Sequence, residues 1–274
     1  MKKLLTLFAI TLCLTILPGS FTTVGAAPAG QGKKIIFIPL DNRPITDSET
    51  GDVGRKLGYD ILVPPDELLG TREHSGNPEG LWQWLNENAS QAKAVVVSAD
   101  TMIYGSLVDS RKHELTQQEI RERTARFEEL HQKYPRLPIY GYSTVLRTLL
   151  NATHSGAGME PEVYQQNAVK IYQYSVLHDK QDMNVATSKE QKELQQLQKE
   201  IARSVMDDWE KRHLLNYRAN QALMELAQKD VFAYLYLGGD DSAPFSQTHF
   251  EMRHLRKYGE SLALGKTRFQ VTSG

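Results

Sequence analysis

Cysteine is nearly absent from this chain: the one residue, Cys13, falls within an apolar N-terminal stretch. Disulfide frameworks and thiolate metal sites are thereby excluded from the rest, which must hold together through its packed core. A surplus of either charge is also missing. Lys and Arg number 32 against 33 Asp and Glu, with no basic block or basic helix face, so nucleic acid and anionic membrane are not expected partners. Long apolar runs are confined to residues 4–17. That run is shorter than the roughly 18–20 residues needed to span a bilayer. With Lys2 and Lys3 before it and Val24-Gly25-Ala26 after it, residues 1–26 read as a cleaved signal peptide. The mature protein is then expected to be secreted, without stable membrane insertion, and Cys13 sits too early for lipid attachment. Residues 27–33 read as a flexible linker. No nucleophile elbow, phosphate loop, dinucleotide fingerprint or zinc-protease motif is present.

What the chain does have is a recurrent pattern of short apolar runs that end in acids. At 231–242, VFAYLYLGGDDS, an aromatic-rich run reads as a strand buried on both faces. Gly238 and Gly239 are expected to let the backbone turn sharply and a neighbour approach, delivering Asp240 and Asp241 to the strand's carboxyl end. The alternative is a loop aspartate that caps the helix starting near Ser246. The run at 34–40 ends on Asp41-Asn42-Arg43-Pro44, where Pro44 keeps Arg43 out of the helical region. Acid, amide and guanidinium together suit a polyhydroxylated or anionic ligand, or else Asp41 and Arg43 pair internally. The run at 92–98 leads into Asp100, with Arg111 beyond it either paired with one of these acids or solvated. Parallel strands gather their carboxyl ends on one rim, so Asp41, Asp100 and Asp240 or Asp241 are expected to share an acidic site.

Two further strands are read at 59–63 and 137–142, the latter followed at the rim by Ser143, Thr144 and Arg147. Arg147 stands alone among apolar residues in VLRTLL, which suggests a ligand-binding or core-paired guanidinium. His74, in a polar loop, reads as solvated. Asn77-Pro78 and the capping box Thr116 to Glu119 announce helices. From 160 to 229 the alternation of strand and helix gives way to a helical insertion between the fourth and fifth strands. A second capping box, Thr187 to Glu190, precedes a stripe of Leu194, Leu197, Ile201, Val205 and Trp209. The insertion is read as a cap beside the rim, with Arg218 and Asn220 near its end as candidates to reach the site. His249 and His254, five apart, point to different sides of a helix and make a poor metal pair. The last strand, 267–272, lacks the loop and covering helix that normally follow a buried parallel strand, so residues 34–274 are expected to be an incomplete domain. The fold class is α/β with a mostly parallel sheet, either open and doubly wound or part of an α/β barrel.

The segments IPLDNRP, SADTMIYGSLVDSR, the 147–161 region containing MEP, YRANQALMEL and LGGDDS together resemble a bacterial family known as domain of unknown function 4127. The resemblance covers nearly all of the mature chain. It implies shared site positions and a continuation beyond TRFQVTSG into an acidic segment, and it carries no settled reaction.

Three functions fit these readings. The first is a secreted hydrolase of carbohydrates that uses a carboxylate pair, with Asp240 or Asp241 as one member and Asp100, Asp41 or an acid in the missing part of the domain as the other. In that reading Asp41, Asn42, Arg43, Arg111, Arg147, Arg218 and Asn220 bind a small-molecule or oligosaccharide substrate, and no cofactor is needed. The second is a non-catalytic cell-surface protein that grips a sugar by the same rim. The third is a hydrolase in which Asp41, Asp100 and Asp240 hold Mg²⁺ or Ca²⁺ through oxygen ligands.

Overall fold

The computed structural model describes residues 33–153 and 157–273. The signal peptide, Cys13, nearly all of the expected linker and Gly156 lie outside them. Six strands form one wholly parallel sheet: β1 (Lys34–Ile38), β2 (Asp60–Leu62), β3 (Ala94–Ser98), β4 (Ile139–Val145), β5 (Tyr234–Gly239) and β6 (Phe269–Ser273). They run in the order β2-β1-β3-β4-β5-β6, so the chain reverses its direction of travel across the sheet at β1, as in doubly wound folds. The fold is α/β.

Helices connect the strands: α1 (Ser48–Lys56), α2 (Pro78–Asn88), α3 (Ala99–Ile103), α4 (Leu107–Lys112) and α5 (Gln117–Lys133) precede β4. Then α6 (Glu162–Asp182), α7 (Ser188–Glu200) and α8 (Arg203–Gln228) separate β4 from β5, and α9 (Gln247–Ser261) separates β5 from β6. Several helix starts follow from local chemistry. Asn77 accepts the Gly80 N–H at the head of α2, with Pro78 at the first helical position. Thr116 and Thr187 open α5 and α7 with reciprocal capping boxes.

The main core takes every second residue of the strands, Ile36 and Ile38, Val95 and Val97, Leu235 and Leu237, and packs them against α2, α3, α5, α9 and the second half of α8. Apart from the buried Phe37, the apolar side chains of opposite parity in these strands are only half-buried. Ile35, Val96, Tyr142, Tyr234 and Tyr236 are intermediate, and Tyr140 is 42% exposed. This corrects the expectation that β5 is buried on both faces: the YLYL run alternates, with leucines inward and tyrosines lining a half-covered face. A second, smaller core holds Tyr164, Ile171, Leu194, Leu197, Val205 and Trp209 of α6, α7 and the first half of α8. The 26-residue α8 therefore serves both cores. Among the described residues, no helix is long and apolar enough to cross a membrane.

Candidate functional site

Strand register brings the acid-bearing ends level. Ile38 pairs with Val97, Val97 with Gly141, and β4 stays paired with β5 as far as Val145 with Gly239. Thr144 thus belongs to a strand that ends three residues later than the sequence suggests. Asp240 extends the pairing, its N–H donating to the Val145 carbonyl at 3.0 Å. Gly239 makes no positive-φ turn; its role is close approach. A Cβ there would stand 2.5 Å from Met252 Sδ on α9 and 3.1 Å from the Asp241 carbonyl oxygen.

The crevice between β1 and β3, where ligands commonly enter a doubly wound sheet, is closed by the protein itself. Thr101 donates its hydroxyl to the Pro39 and Leu40 carbonyls at 2.7 and 2.9 Å, and the Tyr142 hydroxyl donates to Ile38 at 3.3 Å. Asp41 turns inward as well. Its carboxylate accepts the Arg43 backbone N–H, the Arg43 Nε–H and the Thr46 hydroxyl, and it lies 2.7 Å from Arg43 Nη2. The internal ion pair is thus the arrangement found, although 40% of the Arg43 side chain remains exposed. Asn42 is exposed and anchors the loop through its N–H to the Gly70 carbonyl.

The site shifts accordingly toward β3, β4 and β5. Asp100, at the start of α3, is fully buried, and its carboxylate accepts the Thr144 N–H at 2.8 Å and the Thr144 hydroxyl at 3.1 Å. Burial pushes its pKa up from 3.8 to about 7; the negative charge of Asp240 adds to this, and the Thr144 bonds oppose it. Thr144 is held from behind. Asn216 and Asn220, one turn apart on α8, both donate to its carbonyl, at 3.2 and 3.0 Å. Asn220 therefore supports the site through Thr144 and is itself fully buried.

Asp240 faces a chain of alternating charges. Its carboxylate accepts a short hydrogen bond from Arg111 Nη2, and 16% of the Asp240 side chain is exposed. Arg111 Nε lies 3.5 Å from Glu160 Oε1, and Arg147 Nε donates to the same oxygen at 3.0 Å. Asp240, Arg111, Glu160 and Arg147 thus form one largely buried network. Burial raises the Glu160 pKa, against the pull of Arg111 and Arg147. Glu160 gives no site signal in the sequence, because nothing local distinguishes it from any acid before proline. Arg111 was legible as a partner for one of the acids, though which acid could not be read from residues 129 apart.

Other candidates do not join this group. Asp241 accepts the Ala243 N–H at 3.0 Å, the Ser246 hydroxyl at 3.2 Å and the Thr248 hydroxyl at 2.7 Å, and so braces the loop and the head of α9. Arg218 is exposed and donates to Gln117 at 2.7 Å on the outer side of α8, since it lies two residues from both Asn216 and Asn220 and so on the far side of the helix. His74 is exposed. His249 and His254 engage separate carboxylates, Asp179 at 2.6 Å and Asp182 at 3.1 Å. Among the described residues, no group of three or more His, Cys, Asp or Glu is arranged to hold a metal ion, and Asp41 and Asp240 are ion-paired with Arg43 and Arg111. Three carboxylate–imidazole pairs went unread in the sequence: His213 with Glu251 at 2.9 Å, both buried, His249 with Asp179, and His254 with Asp182.

Neither the curated proteins nor the solved structures contain a match to this chain. A family model, described as a protein of unknown function (DUF4127), matches residues 35–274, which takes in every strand but the first residue of β1 and the whole of the rim just described. The chain belongs to that family.

Proposed function

We propose that this protein is a secreted hydrolase acting on carbohydrate, with Asp240 and Asp100 as an unlike carboxyl pair. The observation that carries the reading is the contrast between them. Asp100 is buried and keeps its proton up to about pH 7, while Asp240 is partly open and ion-paired with Arg111. Glycoside hydrolysis asks for two carboxyl groups whose environments separate their roles, one retaining a proton and the other acting as a carboxylate. Asp240 is the member that meets substrate, with Arg43 and Asn42 exposed nearby on the β1 loop. Asp100 lies beneath it and is the member that retains its proton. The helices α6 and α7, with their separate small core, form the cap. Export follows from residues 1–26.

A non-catalytic sugar-binding protein is the second reading, and the complete burial of Asp100 favours it. The two separate on one comparison. The mature protein is incubated with a panel of nitrophenyl glycosides and wall-derived oligosaccharides, and product release and binding are followed together. A hydrolase loses turnover in Asp240→Asn yet retains binding. A binding protein binds with no turnover in the native chain.

A further inference from the structure

Behind Asp240 lies a cavity of about 20 Å³ between α4, the segment after β4, α6 and α8. Its charged lining is lopsided: Arg111, Arg147 and Arg212 present guanidinium groups against a single carboxylate, Glu160. Arg212 is fully engaged, by the Tyr164 hydroxyl, Asp208, Glu114 and the His113 carbonyl. Arg147 bonds to Glu160. Arg111 is different. It is 4% exposed, its one hydrogen bond runs from Nη2 to Asp240, its Nε lies within ion-pair range of Glu160 without a hydrogen bond, and its Nη1–H groups have no partner among the described residues. Buried N–H groups are almost always satisfied, so an orphaned Nη1 at a cavity wall marks the place of something that supplies oxygen.

We propose that this cavity is a subsite for the carboxylate of an acidic sugar, with Arg111 as its anchor. The proposal rests on the reading of the rim as a carbohydrate site and narrows its substrate class. The volume admits one water-sized atom, such as one oxygen of a carboxylate, and excludes a sugar ring, so the ring stays at the rim. There the same guanidinium already touches Asp240. A carboxylate oxygen is a charge-assisted acceptor for the Nη1–H groups that remain. A single negative charge suits the site better than a phosphate dianion, because Glu160 and Asp240 already offset part of the positive charge.

The test is calorimetric titration of the whole mature protein with sodium glucuronate, alongside glucose and inorganic phosphate at matched ionic strength. Saturable binding of glucuronate, at least 10-fold tighter than glucose or phosphate, is expected. Arg111→Lys, which keeps a cation for Asp240 and Glu160, should weaken glucuronate at least 10-fold. Ala168→Leu, which fills the cavity from α6 and leaves every charge in place, should do the same, so a misfolded Arg111 variant does not decide the matter. Equal binding of glucose and glucuronate, preference for phosphate, or a folded Ala168→Leu protein that binds glucuronate normally would overturn the subsite. Hydrolysis of neutral glycosides without glucuronate binding removes the subsite and keeps the hydrolase. Glucuronate binding without hydrolysis of any glycoside keeps the subsite and removes the hydrolase.

Discussion

Asp100 and Asp240 are the same residue type at the ends of adjacent regions of one sheet, yet they meet opposite surroundings. Asp100 has neutral donors and no water, so the charged form is penalised; Asp240 has a guanidinium and some solvent. The stability consequence has a definite sign. The folded Asp100 carboxyl holds its proton to about pH 7 against 3.8 for an unperturbed group. Native protein therefore binds more protons than unfolded protein between these values, and stability falls as pH rises through that window. The loss is on the order of a few kcal/mol. Asp100→Asn, which cannot titrate, should flatten the decline, as read by chemical denaturation at pH 4.5 and pH 7.5. Equal slopes for the two proteins would contradict the raised pKa. Much at this scale was legible in advance. Asp41, Asp100 and Asp240 announce themselves because strand ends are local signals, whereas Glu160, Asn216 and the His213–Glu251 pair acquire meaning only from partners far along the chain. Arg218 misled for a related reason: composition shows that a helix is present, but which residues face the sheet depends on packing.

At the scale of elements, β5 and α9 form the tightest junction of the site. Gly239 is in the strand because a side chain there would enter the space of Met252. Gly239→Ala should cost about 1–3 kcal/mol by overpacking and should displace Asp240, weakening any ligand that the rim holds. A variant as stable as the native protein would show that α9 yields freely. The long α8 makes a second prediction. Its first half joins the small core of α6 and α7, and its second half joins the sheet core. Trp209, 4% exposed, packs edge-on to Tyr174 at 6.0 Å within the small core. Trp209→Ala should cost about 3–5 kcal/mol, and by hydrogen exchange the amides of α6 and α7 should lose protection before those of β3 and β4. Loss of protection in all elements together would mean that the two cores unfold as one. Helix starts were readable here because caps are written in four residues. The division of α8 between two cores was not, since its apolar stripe continues through both.

Across the whole molecule, the strand order closes one route to the sheet and opens another. Thr101 seals the crevice at the β1 reversal, and the polar groups that remain partly open gather above β4 and β5. The parallel α/β plan and the insertion between the fourth and fifth strands were legible from the alternation of apolar runs and helical stripes. The half-covered tyrosine face was not, because an aromatic-rich run looks the same whether its tyrosines are covered or wet. The central claim is that Asp240 acts on a glycoside beside a buried Asp100 that keeps its own proton up to about pH 7. It is tested most directly by the pH–rate profile of glycoside hydrolysis for the native protein, Asp100→Asn and Asp240→Asn. Native activity should decline as pH rises past about 7, that limb should disappear or move in Asp100→Asn, and Asp240→Asn should lose at least about 10²-fold in rate. A rate unchanged by Asp240→Asn, or a high-pH limb that persists unmoved in Asp100→Asn, would contradict it.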